Sequence, residues 1–415
     1  MDRVRFAVLT VFLALLSVRC ADGPVGVQEI TQLPRDLTGA EEELIRSDNA
    51  FGLKLFREIH AQAPVDSNIF ISPLSVAMAL GMAYNGAAGE TQLAMQETLE
   101  LQGLTLEEVN EAYRSLIHLL RNLDRNVEFV LANSIWYREY FPVIQDFLDV
   151  NREYFEAEVT ALDFGSPSAA PTINSWVSEK TNGRIEQIVD DPISDELVMF
   201  LINAIYFKGA WTIQFDPDLT ADGLFLLADG GEVWVPMMRY PEPVGLSYFA
   251  DDAAQAIDLP YGGKAYSMTI VMPVGDATIG DLVTSLDDAR WAEIVDGLHA
   301  VESGLVMPKF TLEYELCMND VLEALGMGIA FDQFNADFTK IYQGTENIYI
   351  SKVKHKSFVD VNEEGTEAAA VTSVEVGVTG LPPTVFVERP FVFAIREKYS
   401  GTILFMGRIM NPGGG

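Results

Sequence analysis

The sequence predicts a single domain of the α+β class. Apolar residues recur at helical spacing mainly in the first half of the chain, whereas the β-branched and aromatic runs typical of strands dominate the second half. Helices and strands are therefore segregated along the chain and do not alternate as they do in a parallel βαβ fold. No repeat and no long linker interrupts the 415 residues, so nothing marks an internal domain boundary.

Two segments in the first half carry the clearest helical pattern. In residues 41–60 an apolar stripe recurs at helical spacing from Leu44 to Ile59. A second helix is predicted to start at Thr105, because Glu108 stands three residues later and completes a capping box. Apolar residues then follow at steps of three and four, which is the spacing of an amphipathic helix.

Six runs predict strands by their β-branched and aromatic content. They cover residues 127–137, 197–207, 265–272, 305–312, 347–361 and 402–409. Most of these runs lie in the second half of the chain, in agreement with the α+β assignment.

The chain is strongly acidic and poor in metal ligands. It carries 61 Asp and Glu against 27 Lys and Arg, a formal net charge of −34, which opposes binding to nucleic acid and to anionic membrane surfaces. Two distant cysteines, Cys20 and Cys317, and four scattered histidines exclude a disulfide scaffold and an HExxH metal site. We expect no nucleic-acid partner, no metal and no cofactor, and we interpret Cys317 as an unreactive thiol of the core.

Residues 1–23 are predicted to form a secretory signal peptide. Arg3 and Arg5 precede the apolar run 6–18, which is too short to span a bilayer but suits the core of a signal. A buried N-terminal helix is the alternative. Cleavage after Gly23 would satisfy the preference for small residues at the cleavage site. We therefore expect a secreted or extracytoplasmic protein.

A lipid anchor at Cys20 is a second way to read the same segment. The signal would then end before Cys20, although Arg19 stands where lipoprotein signals favour a small residue. Residues 24–40 mix Pro, Gly and Asp without periodicity and are predicted to form a flexible leader in either case.

The motifs of common enzyme classes are missing. The sequence contains no G-x-S-x-G elbow, no P-loop and no G-x-G-x-x-G after a strand. A catalytic triad that assembles only in space leaves no local pattern. The observation nevertheless favours a function other than catalysis.

Several blocks of sequence resemble one family. They are FISPLS at residues 70–75, NGAAGET at 85–91, NAIYFKGAW at 203–211, ERPFVF at 388–393 and LFMGRIMNP at 404–412. On these blocks the chain resembles the serpins, which are inhibitors of serine proteases, and we expect a prokaryotic member of the inhibitory type. The resemblance implies one domain over residues 41–412, with three β-sheets, eight or nine helices and an exposed reactive-centre loop at about 363–383.

The predicted reactive-centre loop alternates with period two. The face that includes Thr366 and Val378 is wholly uncharged, whereas the opposite face carries Glu367 and Glu375. This alternation is typical of a strand that is buried on one side. The loop therefore has the sequence of a strand, although the resemblance implies that it is exposed in the intact protein.

The resemblance implies a mechanism for this loop. A protease cleaves the loop and becomes covalently bound, and the loop then inserts into the central sheet and carries the protease with it. The implied hinge consists of Glu363, Glu364, Gly365, Thr366, Glu367, Ala368, Ala369 and Ala370. Gly365 suits a pivot because glycine adopts dihedrals that other residues resist, and the three alanines are small enough to pass between packed strands.

The scissile bond is assigned by matching the loop from both ends. Both registers place it at Thr379–Gly380, with Val378 just before it and a slip to Val378–Thr379 as the alternative. A small uncharged residue suits proteases with a shallow apolar specificity pocket, such as elastase-like or subtilisin-like enzymes. The alternative function is a non-inhibitory serpin that acts as a carrier or structural protein.

Other residues gain roles only through the resemblance. Ser72, Asn203 and His355 are implied to meet beneath the central sheet and to hydrogen-bond across the strands that part. The helix that follows Thr105 is mainly acidic, so we expect no heparin binding, and we expect a monomer. The acidic charge is interpreted as an aid to solubility, with attraction of a basic protease as the alternative.

Overall fold

The computed structural model of the chain describes residues 28–366 and 383–414. The predicted signal peptide, Cys20 and the first part of the leader lie outside the described residues. The same holds for loop residues 367–382, which include Glu367, the three hinge alanines, Val378, Thr379 and Gly380.

Nine α-helices are present in the described part of the chain. They are α1 (Gly39–Gln62), α2 (Pro73–Tyr84), α3 (Gly89–Thr98), α4 (Leu106–Asn122), α5 (Gln145–Tyr154), α6 (Ala169–Lys180), α7 (Ile279–Ser285), α8 (Asp288–Asp296) and α9 (Asn319–Leu322). The α4 helix has the predicted capping box, in which Thr105 accepts from the backbone of Glu108 while the Glu108 carboxylate accepts from Thr105. The helical stripe predicted for residues 41–60 lies within α1 and faces the core.

The same ranges contain sixteen strands. They are β1 (Ile69–Ile71), β2 (Val127–Arg138), β3 (Glu158–Leu162), β4 (Met199–Ala210), β5 (Ala221–Leu226), β6 (Glu232–Arg239), β7 (Val244–Ala250), β8 (Ala254–Tyr261), β9 (Tyr266–Pro273), β10 (His299–Pro308), β11 (Phe310–Cys317), β12 (Lys354–Val361), β13 (Gly365–Thr366), β14 (Thr384–Phe386), β15 (Phe391–Glu397) and β16 (Ile403–Ile409). Of the described elements, six of the nine helices precede β4, whereas thirteen of the sixteen strands follow α6, and the predicted α+β class is confirmed.

The strands form three sheets, two of which share a strand. The central sheet has the order β11-β12-β13-β4-β2-β3. A second sheet has the order β1-β16-β15-β9-β8-β7-β10. The C-terminal half of β10 pairs with β6 and β14 in the third sheet, and β6 pairs in turn with β5. Because β10 belongs to both, the second and third sheets are continuous.

The central sheet is covered on both faces around β2 and β4. On β4, Ile202 and Ala204 join an apolar cluster with Trp176 of α6, whereas Ile205 and Phe207 face the main core beneath α2. This alternation follows from the period of two along a strand. This part of the sheet is therefore sandwiched between α6 and the helices of the main core.

Two of the predicted strands differ from the structure. The run 305–312 splits after Pro308, where the chain leaves β10 and enters the central sheet as β11. The run 347–361 forms a strand only from Lys354, because the preceding backbone uses other partners, such as Ala330, whose carbonyl accepts from the amide of Ile350. Apolar content alone does not reveal which sheet a residue joins.

The end of the predicted flexible leader contacts the domain. The amide of Ile30 donates to the carbonyl of Gly263 over 2.7 Å, and the hydroxyl of Tyr399 donates to the carbonyl of Ile30. Lys264 also forms an ion pair with Glu29 at 3.0 Å. Residues 29 and 30 are therefore held against the domain, which differs from the flexible leader predicted for residues 24–40.

Cys317 is not a core thiol, and that interpretation was wrong. It ends the edge strand β11 and is exposed, with its Sγ 3.5 Å from Oδ1 of Asn319.

Among the helices of residues 28–366 and 383–414, none has the length and apolar content needed to cross a bilayer.

Candidate functional site

A short strand enters the central sheet between two longer ones. In β13, Gly365 and Thr366 pair antiparallel with Ala210 and Gly209 of β4. On the other side Thr366 pairs antiparallel with Val361 of β12. Within the described residues no strand pairing joins β4 directly to β12, so β13 marks the entrance of a slot between them.

Glycine is required at position 365. Its φ is +154°, a conformation that side-chain-bearing residues rarely adopt. A Cβ atom there would lie 2.1 Å from the carbonyl oxygen of Gly209 and 2.7 Å from the Cα of Ala210. The backbone therefore turns from β12 into the slot only because residue 365 has no side chain.

Thr366 is already inside the sheet. It is 2% exposed, and its hydroxyl lies 2.8 Å from the hydroxyl of Tyr261. The resemblance implied that this residue belongs to an exposed loop. The described end of the hinge is instead a buried, paired strand that points along the slot.

Trp211 holds the turn that leads into β13. Its amide donates to the carbonyl of Glu364 and its indole Nε1 donates to the carbonyl of Asn362, each over 2.9 Å. Its ring stacks on that of Tyr261 with centroids 4.4 Å apart. Besides packing against Tyr261, the indole therefore positions the hinge.

Glu363 is anchored by two side chains from other parts of the fold. Its carboxylate accepts from Nζ of Lys309 and from the hydroxyl of Thr220, each over 2.9 Å. Burial would raise the pKa of Glu363, but the hydrogen bonds from Lys309 and Thr220 hold that pKa below its ordinary value. Glu363 is therefore a charged anchor for the start of the hinge.

His355 and Ser72 meet beneath the central sheet. The Nε2 atom of His355 accepts from the backbone amide of Ser72 over 3.1 Å. Ser72 caps α2, and its hydroxyl donates to the carbonyl of Leu404 over 2.7 Å. Burial lowers the pKa of His355 to about 4, so the ring is neutral at physiological pH, as its role as an acceptor requires.

Asn203 lies on the other side of the slot and reaches the same helix by another contact. Its backbone carbonyl accepts from the hydroxyl of Ser75 over 3.4 Å, and its amide nitrogen donates to Oδ1 of Asn133 over 2.8 Å. Its own Oδ1 is buried, and no partner for it is found in the described part of the chain.

The three residues implied by the resemblance are thus joined through the start of α2. No hydrogen bond among the described residues links His355 directly to Asn203. Ser75 and Asn133 were not identified from the sequence. Ser75 had a usable signal, because its position three residues after the capping Ser72 places it in the first turn of the helix.

No group of three or more His, Cys, Asp or Glu side chains in the described ranges could hold a metal ion. The slot, its glycine pivot and the site beneath it consist of strand pairings and hydrogen bonds.

Comparison with known proteins gives a consistent result. The sequence profile described as "Serpin (serine protease inhibitor)" matches residues 46–412. Iripin-8 from Ixodes ricinus is 33% identical over 381 residues, which cover 88% of this chain and 93% of that protein. The leukocyte elastase inhibitor from Bos taurus is 34% identical over 382 residues, covering 89% and 100%.

A solved structure extends the likeness to the whole fold. The thermophilic serpin tengpin in its native state superposes with a TM-score of 0.80 at 31% identity, covering 93% of this chain and 97% of that one.

Replacing His355 by alanine removes the acceptor for a buried amide. We expect His355→Ala to lose about 1–3 kcal/mol of stability at pH 7, because the Ser72 amide is left unsatisfied. His355→Gln is the matched control, since its Oε1 can accept the same bond without titrating. Thermal unfolding of the two variants measures the difference.

The wild type and His355→Gln together test the pKa of His355. With a pKa of about 4 in the folded state against 6.5 in the unfolded chain, the unfolded state binds more protons between these values. The wild type should therefore lose up to about 3 kcal/mol as the pH falls from 6.5 to 4, a loss that His355→Gln escapes. Equal pH profiles for the wild type and His355→Gln would contradict the assignment.

The anchor at Glu363 gives a further prediction. Glu363→Gln should lower the free energy of unfolding by about 0.5–1 kcal/mol, because Lys309 is half exposed and the ion pair is partly screened. Lys309→Met should cost a similar amount, and the double variant should cost less than the sum of both. Additive losses in thermal unfolding would show that the two side chains act independently.

Proposed function

The chain belongs to the serpin family, and we propose from this premise that it inhibits a serine protease as a suicide substrate. The serine hydroxyl of the protease attacks the carbonyl carbon of Thr379, the Thr379–Gly380 bond breaks, and the amine of Gly380 takes a proton and leaves. The protease is then held by an ester to Thr379. Loop insertion between β4 and β12 distorts its active site before water hydrolyses the ester.

The entry of β13 into the central sheet is the observation that carries this proposal. Thr366 pairs antiparallel with both β4 and β12, and Gly365 pairs with β4, so the residues that follow can extend between these two strands. A chain that enters a sheet in this register and alternates with period two has the pattern of an inserting strand.

The composition of the hinge favours an inhibitor over a carrier. Residues 368–370 are all alanine, and the face that begins with Thr366 is uncharged. Bulky or charged residues there would leave buried charges or clashes after insertion, which cost several kcal/mol. Val371 is the one larger residue in this part of the loop, and it is apolar.

The target we propose is an elastase-like or subtilisin-like protease with a small apolar specificity pocket. Thr379 and its neighbour Val378 are small and uncharged, which disfavours trypsin-like enzymes whose pocket acid requires Arg or Lys. The likeness to a leukocyte elastase inhibitor supports this class of target.

We further propose that the protein is an exported monomer that acts without heparin. Export is supported by the apolar run 6–18 that follows two arginines. Cys20 remains the candidate residue for a lipid anchor, and such an anchor would agree with a prokaryotic source. The α4 helix places Glu107 and Glu108 in its first turn, where a polyanion would be repelled.

Insertion is tested at Thr366. Incubation of the wild type with elastase or subtilisin should give a complex that survives SDS. Thr366→Arg should abolish that complex and yield cleaved protein with free protease, because an unpaired arginine cannot remain buried beside Tyr261 at the entrance through which the loop must insert.

Glu367→Arg is the matched control, since position 367 lies on the opposite face of the loop and a charge there stays outside the buried side. It should still inhibit. An unchanged stoichiometry of inhibition for Thr366→Arg would contradict insertion at this register.

The scissile bond is tested by changing the specificity. Thr379→Arg should create inhibition of trypsin-like enzymes and weaken inhibition of elastase-like ones, because an ion pair with the pocket carboxylate is available only to the arginine. Val378→Arg should do so less well. Mass spectrometry of the denatured reaction should find a C-terminal fragment that begins at Gly380.

If that fragment begins at Thr379 and Val378→Arg is the better trypsin inhibitor, the bond lies one residue earlier. A cut before Val374 would contradict the mechanism, because too few residues would remain to carry the protease along the slot.

A further inference from the structure

A carboxyl group lies in the main core without a cation. Asp48 is on α1 and is 4% exposed, and Leu44 and Phe51, which lie one turn before and one turn after it, are fully buried. Its Oδ1 accepts from the hydroxyl of Tyr113 over 2.8 Å, whereas its Oδ2 is buried and no partner for it is found in the described part of the chain. Such a group is strongly disfavoured in its charged form.

Tyr113 supplies this hydrogen bond from the facing helix, α4. It is fully buried, and its ring lies against that of Phe155 with the centroids 5.1 Å apart. Burial and the carboxylate of Asp48 raise the pKa of Tyr113 well above its ordinary value, so the hydroxyl keeps its proton and remains a donor. In this pair the carboxyl is therefore the group that titrates.

The other charged groups around α1 have partners of their own or lie at the surface. The paired ones are Lys54 of α1 with Glu100, Arg114 and Arg121 of α4 with Glu153 and Glu156, Arg408 of β16 with His60, Asp281 of α7 with Thr278, and Arg290 of α8 with Asp251. The exposed ones are Glu107 and Glu111 of α4, Asp288 of α8, Asp320 of α9 and Glu323 just after it. No cation of the described residues therefore neutralises Asp48.

Glu41 shows how the same helix accommodates a buried carboxylate that has a cation. Glu41 is 2% exposed, and its two carboxylate oxygens accept from Arg35 over 2.5 and 2.8 Å. Burial would raise the pKa of Glu41, but hydrogen bonds, first of all from Arg35, lower it to about 2. Glu41 therefore stays charged, whereas Asp48 has no such partner.

The missing cation determines how Asp48 titrates. Burial raises the pKa of Asp48 to about 7, and the hydrogen bond from Tyr113 lowers it only in part. Since Oδ1 already accepts from Tyr113, the added proton is placed on Oδ2, the oxygen without a partner. The protonated carboxyl is neutral, and a neutral group costs far less to bury than a charged one.

The last turn of α4 connects this pair to the central sheet. The hydroxyl of Tyr266 on β9 donates to the carbonyl of Leu120 over 2.5 Å, and Arg121 donates to the carbonyl of Leu131 on β2. A change in how α4 packs on α1 therefore reaches β2 through these hydrogen bonds.

We propose that Asp48 and Tyr113 form a proton-dependent contact between α1 and α4. The protonated pair holds the two helices together in neutral to mildly acidic surroundings. Deprotonation of Asp48 in alkaline solution places an unpaired charge between the helices and loosens α4. His355 responds in the opposite direction, because the folded protein holds its neutral form, so the two buried groups oppose each other in weak acid.

Asp48→Asn in the full chain tests the contact, because asparagine keeps an acceptor for Tyr113 and carries no charge at any pH. Urea unfolding of the wild type and of this variant is measured at pH 5, 6, 7 and 8. A pKa that is about 7 in the folded state and 3.8 in the unfolded chain gives stability that is lost as the pH rises through 7. The ratio of folded to unfolded wild type should therefore rise roughly a hundredfold from pH 8 to pH 5, relative to Asp48→Asn. Both proteins contain His355, so its response cancels.

Glu41→Gln is the matched control from the same helix. Its loss of stability relative to the wild type should be the same at pH 5 and pH 8, because Glu41 stays paired with Arg35 over this range. Tyr113→Phe removes the donor that favours the charged carboxylate, so it should move the midpoint of the pH transition to a higher pH.

Infrared difference spectra give a reading that does not depend on unfolding. The spectrum of the wild type minus that of Asp48→Asn should show the carbonyl band of a protonated carboxyl at pH 6 and lose it at pH 8. Parallel pH profiles of the two proteins, or no such band at pH 6, would overturn the proposal. If Asp48→Asn does not fold, Tyr113→Phe decides, since an unshifted midpoint would overturn the proposal as well.

Discussion

The backbone contact between Gly365 and β4 is the constraint on which the rest of the site depends. A side chain at position 365 would collide with the carbonyl of Gly209, so the chain can turn into the slot only if residue 365 is glycine. Once the turn is fixed, Trp211 donates hydrogen bonds to the carbonyls of residues 362 and 364. The carboxylate of Glu363 then accepts a hydrogen bond from Lys309. The direction of β13 follows from this one contact.

The start of α2 is the second shared element. His355 on one side of the slot and Asn203 on the other both contact its first turn, through Ser72 and Ser75. A buried polar group that loses its partner costs about 1–3 kcal/mol, so strands joined to one helix in this way resist separation until new partners replace the old ones. The polar contacts at the start of α2 therefore help to hold β4 and β12 in place on either side of the slot.

Local features of the sequence predicted the fold class and the capping box of α4, because each depends on residues close together in the chain. The glycine pivot was implied only by the resemblance. The contacts of the site were less accessible. Lys309 and Glu363, or Ser72 and His355, are distant in sequence, and no periodicity relates them. The misassignment of Cys317 has the same origin, since an edge strand and a central strand have similar composition and only the sheet order distinguishes them.

The position of β15 and β16 has a consequence for the protein after its loop is cut. β15 lies between β9 and β16, and β16 also pairs with β1, with Phe391 and Phe393 fully buried. The C-terminal segment that contains β15 and β16 is thus hydrogen-bonded between strands from earlier parts of the chain, β9 and β1. The nicked molecule should stay together as a two-chain particle of unchanged mass, held without any covalent link. In the native state the C-terminal fragment is therefore held through its buried strands β15 and β16, and only denaturation separates it.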